Sequence, residues 1–315
     1  MTEEGPVRLG MVGLDTSHVP EFTRLINGPS QVAPGGRVRI VAALPAGNPE
    51  FPLSRDRVEG YTEAVRNLGV RLVSSLEELL EQVDGVMVQS VDGGQHLAQA
   101  APVFAAGKPI FIDKPLAGSL RDVLEIAALG DRYRVPWFTA SSLRYTGGFP
   151  ELRVDRRLDR ILGCDVYGPC RTVPGHPDLF WYGVHGVDLL YSLLGCGCQT
   201  VSAVRTEHTE HVTGLWSAGR VGTFRGLRGA PVETGWGVTV SGCSAVVQTA
   251  RTYDYEPLVR EIVQFFLSGI APVSPAEMVE VFAFMEAAEE SCRRGGSSVA
   301  LTEVVEHLRA AAGRR

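Results

Sequence analysis

Asp113, Lys114 and Pro115 follow directly on the apolar run Ile110-Phe111-Ile112, and that order of residue types carries the clearest chemical signal in the chain. If the run is a strand of a parallel sheet, Lys114 stands at its carboxyl end, facing the crevice where open α/β sheets bind ligands. Pro115 fixes φ and removes an N–H donor, so the ammonium is presented from a stiff turn, with a Lys114–Pro115 bond that is either cis or trans. A cation held in this way polarises a substrate hydroxyl. The competing reading is a strand that ends at a surface turn with a solvated lysine.

The elements that must position this turn alternate. Val7 to Val12 reads as a strand, Ser17 to Ile26 as a helix and Val38 to Leu44 as a second strand. Ser75-Leu76-Glu77-Glu78 has the form of a capping box, and its helix leads to a strand from Gly85 to Ser90. A helix over Gln95 to Ala106, the strand Ile110 to Ile112, a helix from Ser119 and a strand from Trp137 to Ala140 complete the series. Repeated β-α-β units of this length predict a doubly wound parallel sheet. The turn-rich stretch Arg144 to Phe149 marks a domain joint. Beyond it the pattern predicts an amphipathic helix over Glu151 to Leu162, a short strand near Cys164 to Tyr167 and a helix over Val184 to Leu194. Val/Thr-rich stretches with glycines between them follow from Thr200 to Ala250 and predict an antiparallel sheet. Ser274-Pro275-Ala276-Glu277 then opens a helix that runs to about Arg293.

Composition narrows the function classes. The chain has 315 residues, 44% of them hydrophobic, and a net charge of -6 with scattered Lys and Arg, which excludes nucleic acid and anionic membrane as expected partners. Met1 to Pro6 is acidic and runs into a strand, which predicts neither signal nor transit peptide and hence a cytoplasmic protein. The six cysteines are then expected as reduced thiols. Cys196-Gly197-Cys198 has no matching second pair at zinc-ribbon spacing, so no metal is expected.

Four segments, Val7 to Gly13, Ala105 to Pro109, Asp113 to Ala117 and Gly183 to Leu190, together with Phe265 to Gly269 and Pro272 to Ser274, fall in an order and spacing that resembles the glucose-fructose oxidoreductase and inositol dehydrogenase family, Gfo/Idh/MocA. The resemblance spans nearly the full length. It implies an α/β protein with an N-terminal Rossmann domain over residues 1–145 for NADP or NAD. The rest, 146–315, would be a C-terminal α/β domain with a mostly antiparallel open-faced sheet that serves substrate binding and assembly into a homodimer or homotetramer. The implied reaction is hydride transfer between a nicotinamide cofactor and a sugar, inositol or related polyol. Lys114 matches the family's catalytic lysine and His185 its histidine, a general base suited by its unperturbed pKa. Without the resemblance, His185 reads as a helix-terminal histidine hydrogen-bonded in the domain interface. The cofactor would lie on Gly13, Leu14, Asp15, Thr16, Ser17 and His18, with Ser90, Asp92 and His96 lining the nicotinamide side and Asp113, Lys114 and Pro115 nearby. Substrate would meet Lys114, Arg144, Trp181 and His185, the lysine and histidine sharing the crevice between the domains.

Three departures stand against the family pattern. Trp181 occupies the place of the aspartate four residues before the histidine; Asp188, Asp178 or a proton-carrying Tyr182 would then compensate, and Trp181 is either a stacking floor for ligand or interface packing. In the nucleotide loop Asp15 stands where backbone should approach pyrophosphate, either bringing unwelcome charge or capping the first helix. Finally, Ala43-Leu44-Pro45-Ala46-Gly47-Asn48 lacks the acid that holds ribose hydroxyls, while Ser54, Arg55 and Arg57 either meet the 2′-phosphate of NADP or belong to a charged surface loop, the commoner case. Asp15 and Trp181 also support a rival from another class: a non-redox lyase or ligand-binding descendant of the same fold.

Overall fold

Apolar runs flanked by amphipathic stretches build two compact units in the computed structural model, which describes residues 5–29 and 32–312; the amino-terminal reading over Met1 to Glu4 lies outside them. The first unit takes residues up to Gly118, Asp122–Ala140 and Tyr255–Pro275. The second takes Ser119–Arg121, Ser141–Asp254 and the residues from Ala276 onward. The sequence reading does not anticipate the return of 255–275 to the first unit.

In chain order the first unit runs β1 (Val7–Val12), α1 (His18–Asn27), β2 (Val38–Leu44), α2 (Pro52–Arg55), α3 (Val58–Asn67), β3 (Arg71–Leu72), α4 (Leu76–Leu80), β4 (Gly85–Val88), α5 (His96–Ala105), β5 (Ile110–Ile112), α6 (Leu120–Tyr133) and β6 (Trp137–Phe138). Its six strands stand in the order β3-β2-β1-β4-β5-β6, and every pair is parallel. This is the Rossmann arrangement, with the strand order reversing between β1 and β4. Strands β4 and β5 are buried throughout, as a sheet covered on both faces requires. Helix α1 turns Val19, Phe22 and Ile26 inward. At α4, Ser75 accepts the Glu78 N–H at 3.1 Å, but the Glu78 carboxylate reaches back to Ser74 rather than Ser75, so the capping box is displaced by one residue.

The second unit continues with β7 (Ile161–Pro169), α7 (Val184–Leu194), β8 (Cys198–Arg205), β9 (Thr209–Trp216), β10 (Val221–Leu227), β11 (Trp236–Gly242) and β12 (Val246–Arg251). Helix α8 (Glu256–Ser268) lies in the first unit, where Phe265 packs on Phe138 with ring centroids 4.9 Å apart. Helix α9 (Pro275–Arg293), β13 (Val299–Ala300) and α10 (Leu301–Ala312) close the chain. The seven strands, ordered β12-β11-β7-β10-β9-β8-β13, pair antiparallel except for β10 with β7. Helix α7 lies close against this sheet because Gly186 has no side chain: a Cβ there would stand 2.1 Å from the Phe224 ring. No helix among the described residues is long and apolar enough to cross a membrane.

The helix expected over Glu151 to Leu162 does not form. Pro150–Val154 makes a single 3₁₀ turn, and β7 has begun by Ile161. The Asp155 carboxylate accepts both the backbone N–H and the guanidinium of Arg157, a local bond that competes with the helix, and Asp159 adopts a left-handed φ of 58°. The leucines that suggested amphipathicity, Leu152 and Leu158, are buried from turns.

Candidate active site

In the first unit the loops after β1, β2 and β4 meet at the carboxyl ends of their strands. Gly13 makes this meeting geometrically feasible. Its φ is +88°, and a Cβ would lie 2.3 Å from Ser90 Oγ and 2.4 Å from Ser90 N, so only glycine lets the first and fourth loops approach. The Leu14 N–H donates to Ala46 O at 3.1 Å, tying in the second loop; the Leu14 side chain is core, not ligand surface.

Asp15 does not cap α1. The residue before that helix is Ser17, exposed and making no side-chain cap bond. The fully buried Asp15 carboxylate instead accepts from Val91 N at 2.7 Å and from Ser54 Oγ at 2.6 Å. Ser54 Oγ in turn accepts from Asn48 N, and the Asn48 amide donates to Asp92 at 2.6 Å. Burial pushes the Asp15 carboxyl above its ordinary value, against the donors Ser54 and Val91. Asp92 also caps the turn at Gly94. These bonds engage the Ser54 hydroxyl, while the exposed Arg55 pairs with its neighbour Asp56.

His96 does not line a cleft. It is fully buried, its Nε2 2.7 Å from Ser90 O and its Nδ1 3.2 Å from Leu116 O, so it fastens the loop after β4 to the turn after β5. In that turn the Lys114–Pro115 peptide is cis. Lys114 is half-buried and burial lowers the pKa of its ammonium, with Asp113 partly offsetting the shift. Asp113 Oδ2 lies 2.5 Å from His18 Nδ1, while Oδ1 accepts the Lys114 N–H. Burial works to raise the Asp113 carboxyl, but His18 and Lys114 hold it below its ordinary value. The His18 ring stacks on Phe22 and meets the edge of Tyr255. The sequence places His18 on the cofactor loop and does not reveal this pair, whose members lie 95 residues apart.

The second unit holds the other half of the predicted set. His185 stands in the first turn of α7, buried, with its Nδ1 2.7 Å from Ser141 Oγ. Asp188 does not touch that nitrogen. Its Oδ2 accepts the Ser141 backbone N–H at 2.9 Å, and its carboxylate receives the Arg144 guanidinium at 2.7 Å. The expected direct orientation of His185 by Asp188 is therefore replaced by an indirect one through Ser141. Arg144 is buried and also pairs with Glu277 at 2.7 Å; burial opposes its charge, but Asp188 and Glu277 raise its pKa. With both carboxylates engaged, its guanidinium is a structural anchor rather than the substrate contact expected. Asp178 bonds Arg228 at 2.7 Å and belongs to a separate cluster with Arg205 and Glu210.

Trp181 and Tyr182 lie in the π-helical turn Leu179–Gly183 that leads into α7. Trp181 is buried beside the His176 ring, centroids 5.1 Å apart. Tyr182 sets its ring edge-on to His185 at 5.0 Å and stacks on Trp236. Burial raises the Tyr182 phenol pKa, which makes it a poor base. Ser141 was missed in the sequence; the only signal for it is a polar pair, Ser141-Ser142, soon after a strand end.

A dinucleotide fits the first unit on two observations. The first glycine of the turn, Gly13, keeps the tight φ of +88°, and the residue before α1 makes no side-chain cap bond over the helix start, which leaves room there for an anion. Asp15 points into the loops behind that position. Among the described residues no group of three or more His, Cys, Asp or Glu is arranged to hold a metal.

Residues 53–139 match the Gfo/Idh/MocA model, described as an oxidoreductase family with an NAD-binding Rossmann fold. The inositol 2-dehydrogenase of Cereibacter sphaeroides is 29% identical over 224 residues, a match covering 65% of this chain and 60% of that protein. Thus the chain spans only about three-fifths of the curated relative. Among solved structures, scyllo-inositol dehydrogenase from Lactobacillus casei with NAD(H) and scyllo-inositol is similar with a TM-score of 0.75 at 14% identity, over 94% of this chain and 99% of that one. GenD2 from gentamicin A biosynthesis, in complex with NAD, is similar at 0.74 and 20% identity, over 95% and 97%. These structures establish the fold.

Proposed function

We propose that this protein, whose residues 53–139 match the Gfo/Idh/MocA model, is an NAD-dependent dehydrogenase or reductase acting on a CH–OH group of an inositol, sugar or related polyol. The observation that carries the reading is the half-buried Lys114 at the carboxyl end of β5, one strand from the β1–β4 switch point. NAD is favoured over NADP because the matching family model is described as NAD-binding and the Ser54 hydroxyl is engaged by Asp15.

When bound, NAD would supply the acceptor for the hydride of the carbinol carbon. The chain's own residues supply the rest. Backbone at Gly13 and at the start of α1 would hold the pyrophosphate, and His18 with Asp113 fixes the strand end from which Lys114 projects. The Lys114 ammonium stabilises the negative charge that grows on the substrate oxygen as its proton leaves. The family resemblance assigns the removal of that proton to His185, whose Nδ1 lies 2.7 Å from Ser141 Oγ. Fluorescence titration with NADH, followed by assays of NADH formation across inositols and aldoses, tests the reading. Saturable binding and turnover of one polyol are expected; no NADH binding at millimolar concentration overturns it.

A second reading is favoured by Asp15, whose buried carboxylate stands where other nucleotide loops carry glycine. It is a non-redox lyase or ligand-binding protein, and the same titration separates the two.

A further inference from the structure

The loop that follows β2, Pro45-Ala46-Gly47-Asn48, lacks the acid that Rossmann folds place there to hold the adenosine ribose. An acid reaches it from another loop instead. Asp92, which follows β4, accepts the Asn48 Nδ2–H at 2.6 Å on Oδ2 and the Gly94 N–H at 2.8 Å on Oδ1. Since β1 stands between β2 and β4, this bond joins the loops on either side of it. Asn48 is set for the contact by its other groups: its backbone N–H donates to Ser54 Oγ at 2.7 Å, and its Oδ1 accepts the Glu50 N–H at 3.0 Å. Ser54 is held in turn by Asp15, and Gly47 permits the approach, because a Cβ there would stand 2.5 Å from Ser54 Oγ and 3.1 Å from Asp15 Oδ2. The charges that residues 45–57 carry themselves cancel, Glu50 and Asp56 against Arg55 and Arg57, all four exposed. Asp92 therefore leaves the balance at this loop negative.

We propose that Asp92 is the specificity-determining residue for the cofactor: held against the loop after β2 by Asn48, it takes the part of the missing acid and repels a 2′-phosphate, so that the first unit selects NAD over NADP. The proposal rests on the dinucleotide reading of that unit and names the residue behind its preference. Asp92 is only 5% exposed, so the selection acts through charge more than through contact. A phosphate monoester on the ribose brings roughly two negative charges to a place where NAD carries a neutral hydroxyl. Like charges close together at a partly buried loop penalise the wrong ligand as surely as a contact rewards the right one. Arg55 does not reverse the sign, because it pairs with Asp56 at 2.9 Å. The sequence reading puts Asp92 on the nicotinamide side; its bond to Asn48 brings it to the loop after β2.

The test is a fluorescence titration of the full-length protein with NADH and with NADPH, no substrate being added. The wild type should bind NADH at least about 10-fold more tightly than NADPH. Asp92→Asn and Asp92→Ser remove the charge but keep an oxygen that can accept the Gly94 N–H, and in each the two affinities should come within a few-fold of one another. Asp92→Glu keeps the charge and should keep the preference. An unchanged ratio in a neutral variant overturns the proposal, as does its loss in Asp92→Glu or a wild type that binds NADPH as tightly as NADH. Should Asp92→Asn fail to fold, Asp92→Ser and the wild-type ratio decide the same question. A wild type that binds neither nucleotide refutes the dehydrogenase reading and this proposal together, whereas NADH binding without preference refutes this proposal alone.

Discussion

In the proposed reaction Lys114 stabilises charge rather than binding the cofactor, and its variant tests that role. The ammonium acts on charge that exists only as the substrate oxygen loses its proton, so Lys114→Ala should lower kcat by about 10²- to 10³-fold. NADH affinity, measured by titration, should stay within a few-fold. An equal loss in both would place Lys114 in binding instead. Asp188 gives a contrasting case. Its carboxylate takes the Arg144 guanidinium and the Ser141 N–H inside the second unit, so Asp188→Asn leaves the buried cation with Glu277 as its remaining charged partner. Leaving a buried charge uncompensated costs about 3–5 kcal/mol, and with Glu277 in place the loss should stay below that while still lowering Tm measurably. Asp178→Asn, in a partly exposed cluster with Arg205 and Arg228, should cost much less.

Among the elements, the loop after β1 and the end of β5 depend on single groups. In Gly13→Ala the new methyl would meet Ser90 N at 2.4 Å, a backbone atom that cannot turn aside, at a φ of +88°. Tm should therefore drop sharply and NADH binding should weaken; a variant as stable as the wild type would mean that the loops separate easily. The Asp113 carboxyl, held below its ordinary value by His18 and Lys114 against burial, gives stability that is full above the unfolded carboxylate's pKa of about 4. That stability disappears as pH falls through the lower folded value. Asp113→Asn should thus lower Tm at pH near 7 and flatten its decline between roughly pH 5 and 2. The ends of β1, β2, β5, α7 and α9 were legible in the sequence because apolar period, proline and glycine signals agree there. The false helix over 151–162 had the right period, but Asp155 bonds locally to Arg157, a competition that period alone does not reveal. Lys114 and His185 were readable from motif order, whereas His18–Asp113 and Ser141–His185 join residues 95 and 44 apart and follow from topology only.

Over the whole molecule, the contrast between the two sheets decides which surface remains for assembly. The parallel sheet of the first unit is buried on both faces, but the mixed sheet of the second alternates, burying Val166, Val212 and Phe224 and turning their neighbours outward. Register places Tyr167 beside Arg225, Arg225 beside His211 and Val221 beside Leu215 on that outer face, with Val204 opposite His211 at one side and Val246 toward the other edge. Tyr167, Val204, Leu215, Val221 and Val246 are all exposed. Threonines between them, such as Thr213 and Thr223, add little desolvation cost compared with charges. An open β face of this composition is covered most economically by the same face of a second copy, since a two-fold contact doubles every complementary pair. Light scattering at micromolar concentration should therefore report a dimer or tetramer. Leu215→Glu with Val221→Glu would set like charges directly opposite within each sheet and against the partner, and should shift the protein to monomer while leaving NADH binding, a property of the first unit, within a few-fold. A wild type that is monomeric at that concentration would show instead that the open face is tolerated in water.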